Sequence, residues 1–104
     1  MNARTNAADT QIAPDPDVIG QRMGNTIVLL HLRTDRFYEL NSTAARFWEL
    51  LSEYSNPDDI RKILLNEFQV EPEQLVNEVG ALLASLRSEG LILHSNSPKV
   101  QGER

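Results

Sequence analysis

The spacing of hydrophobic and polar residues along this chain divides it into two halves. Apolar and polar positions alternate weakly over residues 17–23, an almost continuous apolar run covers 26–32, and a short alternating segment covers 37–40. These segments predict three strands, although periodicity alone does not separate the second from a short buried helix. Gly24-Asn25 and the polar residues 33–36 predict the two turns between them.

From residue 41 onward the apolar spacing becomes helical. Asn41 or Ser42 can cap a first helix, because either side-chain oxygen can accept from an N–H of the first turn. Its apolar stripe consists of Ala44, Phe47, Trp48 and Leu51. The first helix therefore follows the third strand almost without a linker.

Two further helices begin at prolines. Pro57 follows the candidate cap Asn56, and Pro72 opens a third helix that runs to about Ser88. Gly90 suits the left-handed position after a helix, and residues 91–93 then pack back on the core or add a short strand. The fold class is therefore α+β, with a three-stranded antiparallel sheet followed by three helices.

The two ends of the chain differ in composition from its middle. Residues 1–16 contain one sizeable apolar side chain, Ile12, and residues 95–104 are also polar. We therefore predict a disordered N-terminal extension over 1–16 and a disordered tail over 95–104. One domain remains, over 17–94. The chain has no apolar run near the length of a membrane span and no signal-peptide pattern, so we expect a cytoplasmic protein without membrane partners.

The residue types needed for catalysis or metal binding are scarce. There is no cysteine, and neither His31 nor His94 has a second ligand at metal-binding spacing. Phosphate-binding and nucleophile motifs are also missing, and Ser42 is better explained as a helix cap. The sequence therefore predicts a protein that is not an enzyme and has no metal or cofactor.

Charge argues against nucleic-acid binding, although a small sheet beside three helices can form a winged helix. Residues 47–94 carry three basic and nine acidic residues, a net charge of −6. Contacts with phosphates dominate nucleic-acid affinity, so this half of the domain would repel DNA or RNA. A DNA-binding regulator remains the less favoured alternative.

Peptide capture fits the pattern better. The third strand, 36–40, is short and can lie at a sheet edge, where unpaired N–H and C=O groups can bind an extended peptide. Gly80 inside the third helix shares a stripe with Val76, Leu83 and Arg87, and this stripe can form the floor of a groove. A solvated edge and a stripe that belongs to the core remain open alternatives, as does a dimerising module that self-associates through the same edge.

The segment TIVLLHLRTDRFYELNSTAARFWELL, residues 26–51, resembles the PqqD-like family. Positions that match the family pattern in this segment are Tyr38, Leu40, Asn41, Ala44, Trp48, Leu50 and Leu51. Further matches are Asp59-Ile60, Leu64, Phe68-Gln69-Val70, Glu78-Val79, Leu83, Leu86 and Gly90-Leu91-Ile92. The resemblance covers about 18–93, and its departures are the polar N-terminal extension and Glu78 at a position where Asp is commoner.

The resemblance implies a winged-helix-like domain that acts as a recognition element for ribosomally made precursor peptides. Such domains bind the leader segment of the precursor as an added strand, between the third strand and the third helix. Stand-alone members serve lasso-peptide biosynthesis, beside a leader peptidase and a cyclase, or pyrroloquinoline-quinone biosynthesis, beside a radical enzyme. The segment RTDRFYELNSTAARFW resembles the lasso-type members more closely.

Together these observations predict a non-catalytic adaptor with a peptide-binding site on one strand and one helix. Tyr38 and Leu40 should face the core, with Phe37 and Glu39 on the opposite sheet face. The predicted site consists of Arg36, Phe37, Tyr38, Glu39, Leu40, Val76, Gly80, Leu83 and Arg87. Its partners would be a precursor leader peptide, a separate leader peptidase and a cyclase.

Overall fold

A computed structural model describes residues 11–95 of the chain. In chain order its elements are β1 Gln11–Pro14, β2 Val18–Met23, β3 Thr26–His31, β4 Arg36–Leu40, α1 Ser42–Leu50, α2 Pro57–Glu67, α3 Pro72–Ser88 and β5 Ile92–Ser95. Strands β2, β3 and β4 form one antiparallel sheet in that order, and β1 pairs with β5 in a second sheet. The predicted fold class, three sheet strands followed by three helices, is confirmed.

The two turns of the main sheet use the residues that such turns require. Gly24 has φ +67°, and Asp35 has φ +60°, the left-handed region that Gly and Asp tolerate best. The resulting register pairs Leu29 with Gly20 on one side and with Tyr38 on the other. Burial alternates along β3, with Ile27, Leu29 and His31 buried. The residues between them are half-buried, so β3 is a strand and the helical alternative for this run is wrong.

Side-chain caps explain where α1 and α2 begin. The Oδ1 atom of Asn41 accepts from the backbone N–H of Ala44 at 2.9 Å, and Asn56 caps α2 in the same way through Asp58 at 2.8 Å. Helix α3 begins at Pro72 without a side-chain cap. Gly90 ends the helical region with φ +71°, as expected for the residue after a helix.

The core lies between the inner face of the main sheet and the three helices. Phe47, Ile60 and Leu64 are completely buried there with Leu29 of β3. Trp48 packs on the sheet at Gly20, where a Cβ atom would lie only 3.3 Å from the indole Nε1. A side chain at residue 20 would therefore displace the indole.

The predicted disorder of residues 1–16 is wrong for 11–16. Residues 11–14 form β1, which pairs with β5, and Ile12 is 3% exposed within the core. The backbone N–H of Ile12 also donates to Ser55 O at 2.8 Å. One buried apolar side chain is thus enough to hold β1 in place, because the strand packs on the core of the whole domain. Residues 1–10 and 96–104 lie outside the described residues, and Ser95, predicted to lie in the tail, ends β5.

Asp15 and His31 connect this N-terminal strand to the main sheet. The buried Asp15 carboxylate accepts from the backbone N–H of Asp17 at 2.8 Å and from the Arg33 guanidinium at 3.2 Å. The backbone N–H of Arg33 donates to His31 Nδ1 at 3.3 Å, so Nε2 carries the proton and donates to Gly90 O at 3.1 Å. His31 is therefore a structural residue, as its position within a strand indicates.

A chain of ion pairs crosses the helical surface. Arg46 of α1 binds both carboxylate oxygens of Glu67 in α2 at 2.8 Å. It also contacts Glu49 at 3.1 Å, and Glu49 accepts from Arg22 of β2. The hydrogen bond from Arg22 lowers the pKa of Glu49, and the bonds from Arg46 lower the pKa of Glu67.

We expect Ile12→Ala to destabilise the domain by about 2–4 kcal/mol, because the substitution leaves a cavity beneath β1. The neighbouring exposed Gln11→Ala is the control and should change stability by less than about 0.5 kcal/mol. Urea unfolding followed by tryptophan fluorescence measures both. Equal stabilities of the two variants would contradict the place of β1 in the core.

We also expect the free energy of unfolding to fall at low pH, because protonation of the glutamates breaks the chain of ion pairs. Because the pKa values of Glu49 and Glu67 are lower in the folded protein, their contribution is complete above the unfolded value of about 4.3 and is lost as pH falls through the folded values. Arg46→Gln should therefore lose less stability between about pH 7 and pH 3 than the unsubstituted protein. Urea midpoints at the two pH values provide the test, and an unchanged difference would count against the chain of ion pairs.

Candidate functional site

Strand β4 lies at the edge of the main sheet. It pairs with β3 on one side, and within residues 11–95 no backbone hydrogen bond joins its other side to another element. In an antiparallel ladder, alternate residues of an edge strand direct their N–H and C=O groups away from the sheet. The edge of β4 can therefore pair with one more extended segment.

A groove runs between this edge and helix α3, and we call it the β4–α3 groove. Near β5 it has a volume of about 330 Å³ and a largely apolar lining. Leu40 comes from β4, Leu82 and Leu86 come from α3, and Leu91 closes the base. This part of the groove suits one or two apolar side chains of a bound strand.

The groove continues toward the beginning of α1 and becomes more polar there, although apolar atoms still form the larger part of its lining. A hollow of about 490 Å³ lies between residues 41–44 and the middle of α3. Its lining includes Ser42, Thr43 and Glu78, and it shares Leu82 and Ser85 with the apolar part. The two hollows therefore adjoin, the first beside β4 and the second past the end of β4 at the beginning of α1.

Tyr38 and Arg36 tie β4 to the C-terminal end of α3 at Glu89. The phenol of Tyr38 donates to Glu89 Oε1 at 2.9 Å, and Arg36 approaches the same oxygen at 3.5 Å. Removal of the phenol from water and its bond to Glu89 both raise the pKa of Tyr38. These contacts fix the separation of strand and helix at one end of the groove.

The faces of β4 agree with the alternation predicted from sequence. Leu40 is buried and Tyr38 half-buried, whereas Phe37 is 69% exposed and Glu39 is exposed. Phe37 pairs across the sheet with Leu30, which pairs in turn with Ile19, so an apolar row crosses the outer face. The peptide-binding roles of Arg36, Phe37, Tyr38, Glu39 and Leu40 stay predictions.

The helix half of the predicted site does not lie in the groove. Val76, Gly80, Leu83 and Arg87 are all missing from its lining. Successive helix residues are rotated by roughly 100° about the helix axis. The buried residues of α3, Leu75, Val79 and Leu86, therefore form a stripe that separates the Gly80 stripe from the face with Leu82 and Ser85. Half-buried Leu83 packs on the core, and Arg87 borders a separate shallow hollow with Ala84 and Ser88. A Cβ at Gly80 would meet no atom within 4 Å, so no close packing explains this glycine.

The residues that line the helix side are Glu78, Val79, Ala81, Leu82, Ser85 and Leu86, with Glu89 directly after the helix. None of them belongs to the predicted site, which took the opposite stripe of α3. The sequence feature that could have identified this face of α3 is a pair of small residues, Ala81 and Ser85, on the stripe opposite Gly80. Small side chains there leave room beside the sheet edge.

Metal and membrane sites are not found in the part of the chain that the structure describes. Residues 11–95 contain no group of three or more metal-binding side chains. None of the helices in this range is both long and apolar enough to cross a membrane.

We expect the pKa of Tyr38 to exceed the ordinary value of 10.0 and to fall partway toward it in Glu89→Gln. The fall should be partial because removal from water, the larger cause, remains. Carbon-13 NMR of labelled tyrosine ζ carbons measures the titration, with Tyr38→Phe to assign the signal. An ordinary titration midpoint in the unsubstituted protein would show that this contact is not formed.

Comparison with known proteins agrees with this architecture. A model of the family described as coenzyme PQQ synthesis protein D (PqqD) matches residues 26–92. The solved structure of TbiB1 in complex with the TbiA(beta) leader peptide is 25% identical, with a TM-score of 0.72, and the match covers 77% of this chain and 93% of that one. Lasso peptide synthetase B1 complexed with the leader peptide is 30% identical, with a TM-score of 0.68, and the match covers 80% and 98%.

No curated protein matches the chain by sequence. The family model nevertheless spans well over half of the chain, from β3 to the first residue of β5. Both structural matches cover nearly the full length of the other protein. The chain therefore belongs to the PqqD family.

Proposed function

We propose that this protein binds the leader segment of a ribosomally made precursor peptide in the β4–α3 groove. The open edge of β4 beside a preformed groove is the observation that carries this proposal. A leader strand would pair with the β4 backbone, and its inward side chains would enter the hollow lined by Leu82 and Leu86. Both structurally similar proteins are complexes with a leader peptide.

The protein would act as a non-catalytic adaptor rather than an enzyme. The described lining of the groove offers backbone groups, leucines, hydroxyls and glutamates, and it contains no histidine, cysteine or lysine to serve as an activated nucleophile or its base. The processing step would then belong to a separate leader peptidase or cyclase in the cytoplasm. The domain would raise the local concentration of the precursor beside that enzyme, as two linked binding events do.

Two biosynthetic settings suit this adaptor. The solved structure at 30% identity favours lasso-peptide biosynthesis, since it is described as a lasso peptide synthetase B1 complexed with the leader peptide. The family description favours the alternative, a peptide chaperone in the synthesis of coenzyme PQQ. A comparison of binding to leader segments of the two precursor types distinguishes them.

The direct experiment is an NMR titration of nitrogen-15-labelled protein with the TbiA(beta) leader peptide and with peptides selected from a random library. The proposal expects the largest shift changes at residues 36–40 and along the groove side of α3. The β2 edge, at 18–23, is an internal comparison, because it is also an edge of the sheet. Changes confined to β2, or no binding by any selected peptide, would exclude strand addition at β4.

We expect Ser85→Trp to fill the groove and weaken peptide binding by about ten-fold or more, since 1.4 kcal/mol corresponds to a factor of ten. Ala84→Trp is the matched control, because residue 84 is exposed and borders a different hollow. Fluorescence anisotropy of a labelled peptide compares the two variants, and thermal unfolding shows that both fold. Equal affinities would place the bound peptide outside the groove.

A further inference from the structure

The charged residues in the lining of the β4–α3 groove are all glutamates. Glu39 borders the groove at the edge of β4, with its side chain on the outer face of the sheet, whereas Glu78 contributes from α3 and Glu89 from the C-cap of that helix. Lysine and arginine do not occur in the lining formed by the described residues. The channel beside the open strand edge therefore carries a negative potential, in a chain whose net charge is −5.

The three carboxylates differ in what already binds them. Glu89 accepts from the Tyr38 phenol and contacts Arg36, so a cation of the protein itself partly neutralises it. Glu78 accepts only from the neutral amide of Gln74, at 3.1 Å, within the described range. Glu39 has no side-chain hydrogen bond or ion pair to any residue in 11–95. Glu39 and Glu78 are therefore the carboxylates that a ligand can neutralise.

The beginning of α1 lies in the same polar hollow and has the opposite effect. A helix N-terminus carries roughly half a positive charge, and α1 has no acidic residue in its first turn. The Asn41 side chain already occupies one of its free N–H groups. A full negative charge on Glu78 exceeds this partial charge, so the hollow keeps a net preference for cations.

We propose that the groove selects peptide strands that carry a lysine or arginine opposite Glu78 and a second one beside Glu39. This inference rests on the proposed function and specifies the class of peptide that the site takes. A strand paired with β4 places one outward side chain directly across from Glu39, within about 5 Å between Cβ atoms. Its inward side chains pass the wall of α3 where Glu78 lies.

The alternation of side chains gives the proposal a geometric consequence. The residue beside Glu39 lies on the outer face of the sheet, whereas the residue opposite Glu78 faces into the groove. Successive side chains of an extended strand point to opposite faces. The sequence positions of the two basic residues therefore differ by an odd number, so that they are either adjacent or have an even number of residues between them.

A display selection tests this without a known ligand. A library of random peptides of about 15 residues, long enough to span β4 and the polar hollow at roughly 3.3 Å per residue, is selected on the immobilised full chain. The selection is repeated with Glu78→Lys and Glu39→Lys. The matched control is Glu53→Lys, which makes the same change of net charge at an exposed position outside the groove.

We expect peptides selected on the unsubstituted protein and on Glu53→Lys to be enriched in Lys and Arg at two positions. Glu78→Lys should reverse the preference to Asp and Glu at the inward position alone, and Glu39→Lys at the outward position alone. Replacing either basic residue of a selected peptide by Gln should weaken binding about three-fold at low salt, as for exposed ion pairs. Each loss should vanish in the corresponding Lys variant of the protein.

The outcomes separate this inference from the function it rests on. Peptides that bind the groove without any basic preference sensitive to residues 39 or 78 would overturn the charge selectivity and leave leader binding intact. An equal loss of preference in Glu53→Lys would show that only net charge matters and would also overturn it. A selection that yields no peptide at all would contradict the proposed function itself.

Discussion

The architecture depends on one constraint, which is that the chain leaves the sheet immediately after β4. Leu40 is the last strand residue, and the next residue, Asn41, already caps α1. Within residues 11–95 no later strand lies beside β4, and α3 returns alongside that edge without pairing with it. The remaining strands, β1 and β5, pair with each other in a separate sheet. The open edge thus follows from connectivity and from the cap.

A site of this kind is largely formed before a ligand arrives. Hydrogen bonds from Tyr38 and Arg36 to Glu89 hold the strand and the helix apart, and Leu86 and Leu91 below them are buried. A rigid groove lowers the conformational entropy lost on binding, so a short peptide can gain affinity from main-chain pairing and one or two apolar side chains. The same rigidity makes the charge pattern on the walls a means of discrimination, because misplaced charges cannot rearrange easily.

The N-terminal strand shows why a local description of a sequence fails for short elements. Four residues with one buried side chain cannot be stable alone, and two prolines nearby resemble a linker. Strand β1 is ordered because β5, at the other end of the domain, offers it a partner and because Asp15 satisfies N–H groups of the following turn. These contacts join residues that are far apart in sequence, so no local pattern reports them.

The sequence alone determined the order of elements from β2 to α3, the cap at Asn56, the turns at 24–25 and 33–36 and the two faces of β4, and it narrowed the first helix cap to Asn41 or Ser42. These features depend on neighbouring residues and on the periods of helix and strand, both of which the order of residues in the sequence contains. The tertiary structure decided which side of α3 faces the open edge. Two stripes, one through Gly80 and one through Ser85, flank the core stripe, and both carry small and polar residues. The rotation of the helix about its axis is set by where Leu75, Val79 and Leu86 meet the rest of the core, and that packing involves residues the helix does not contain.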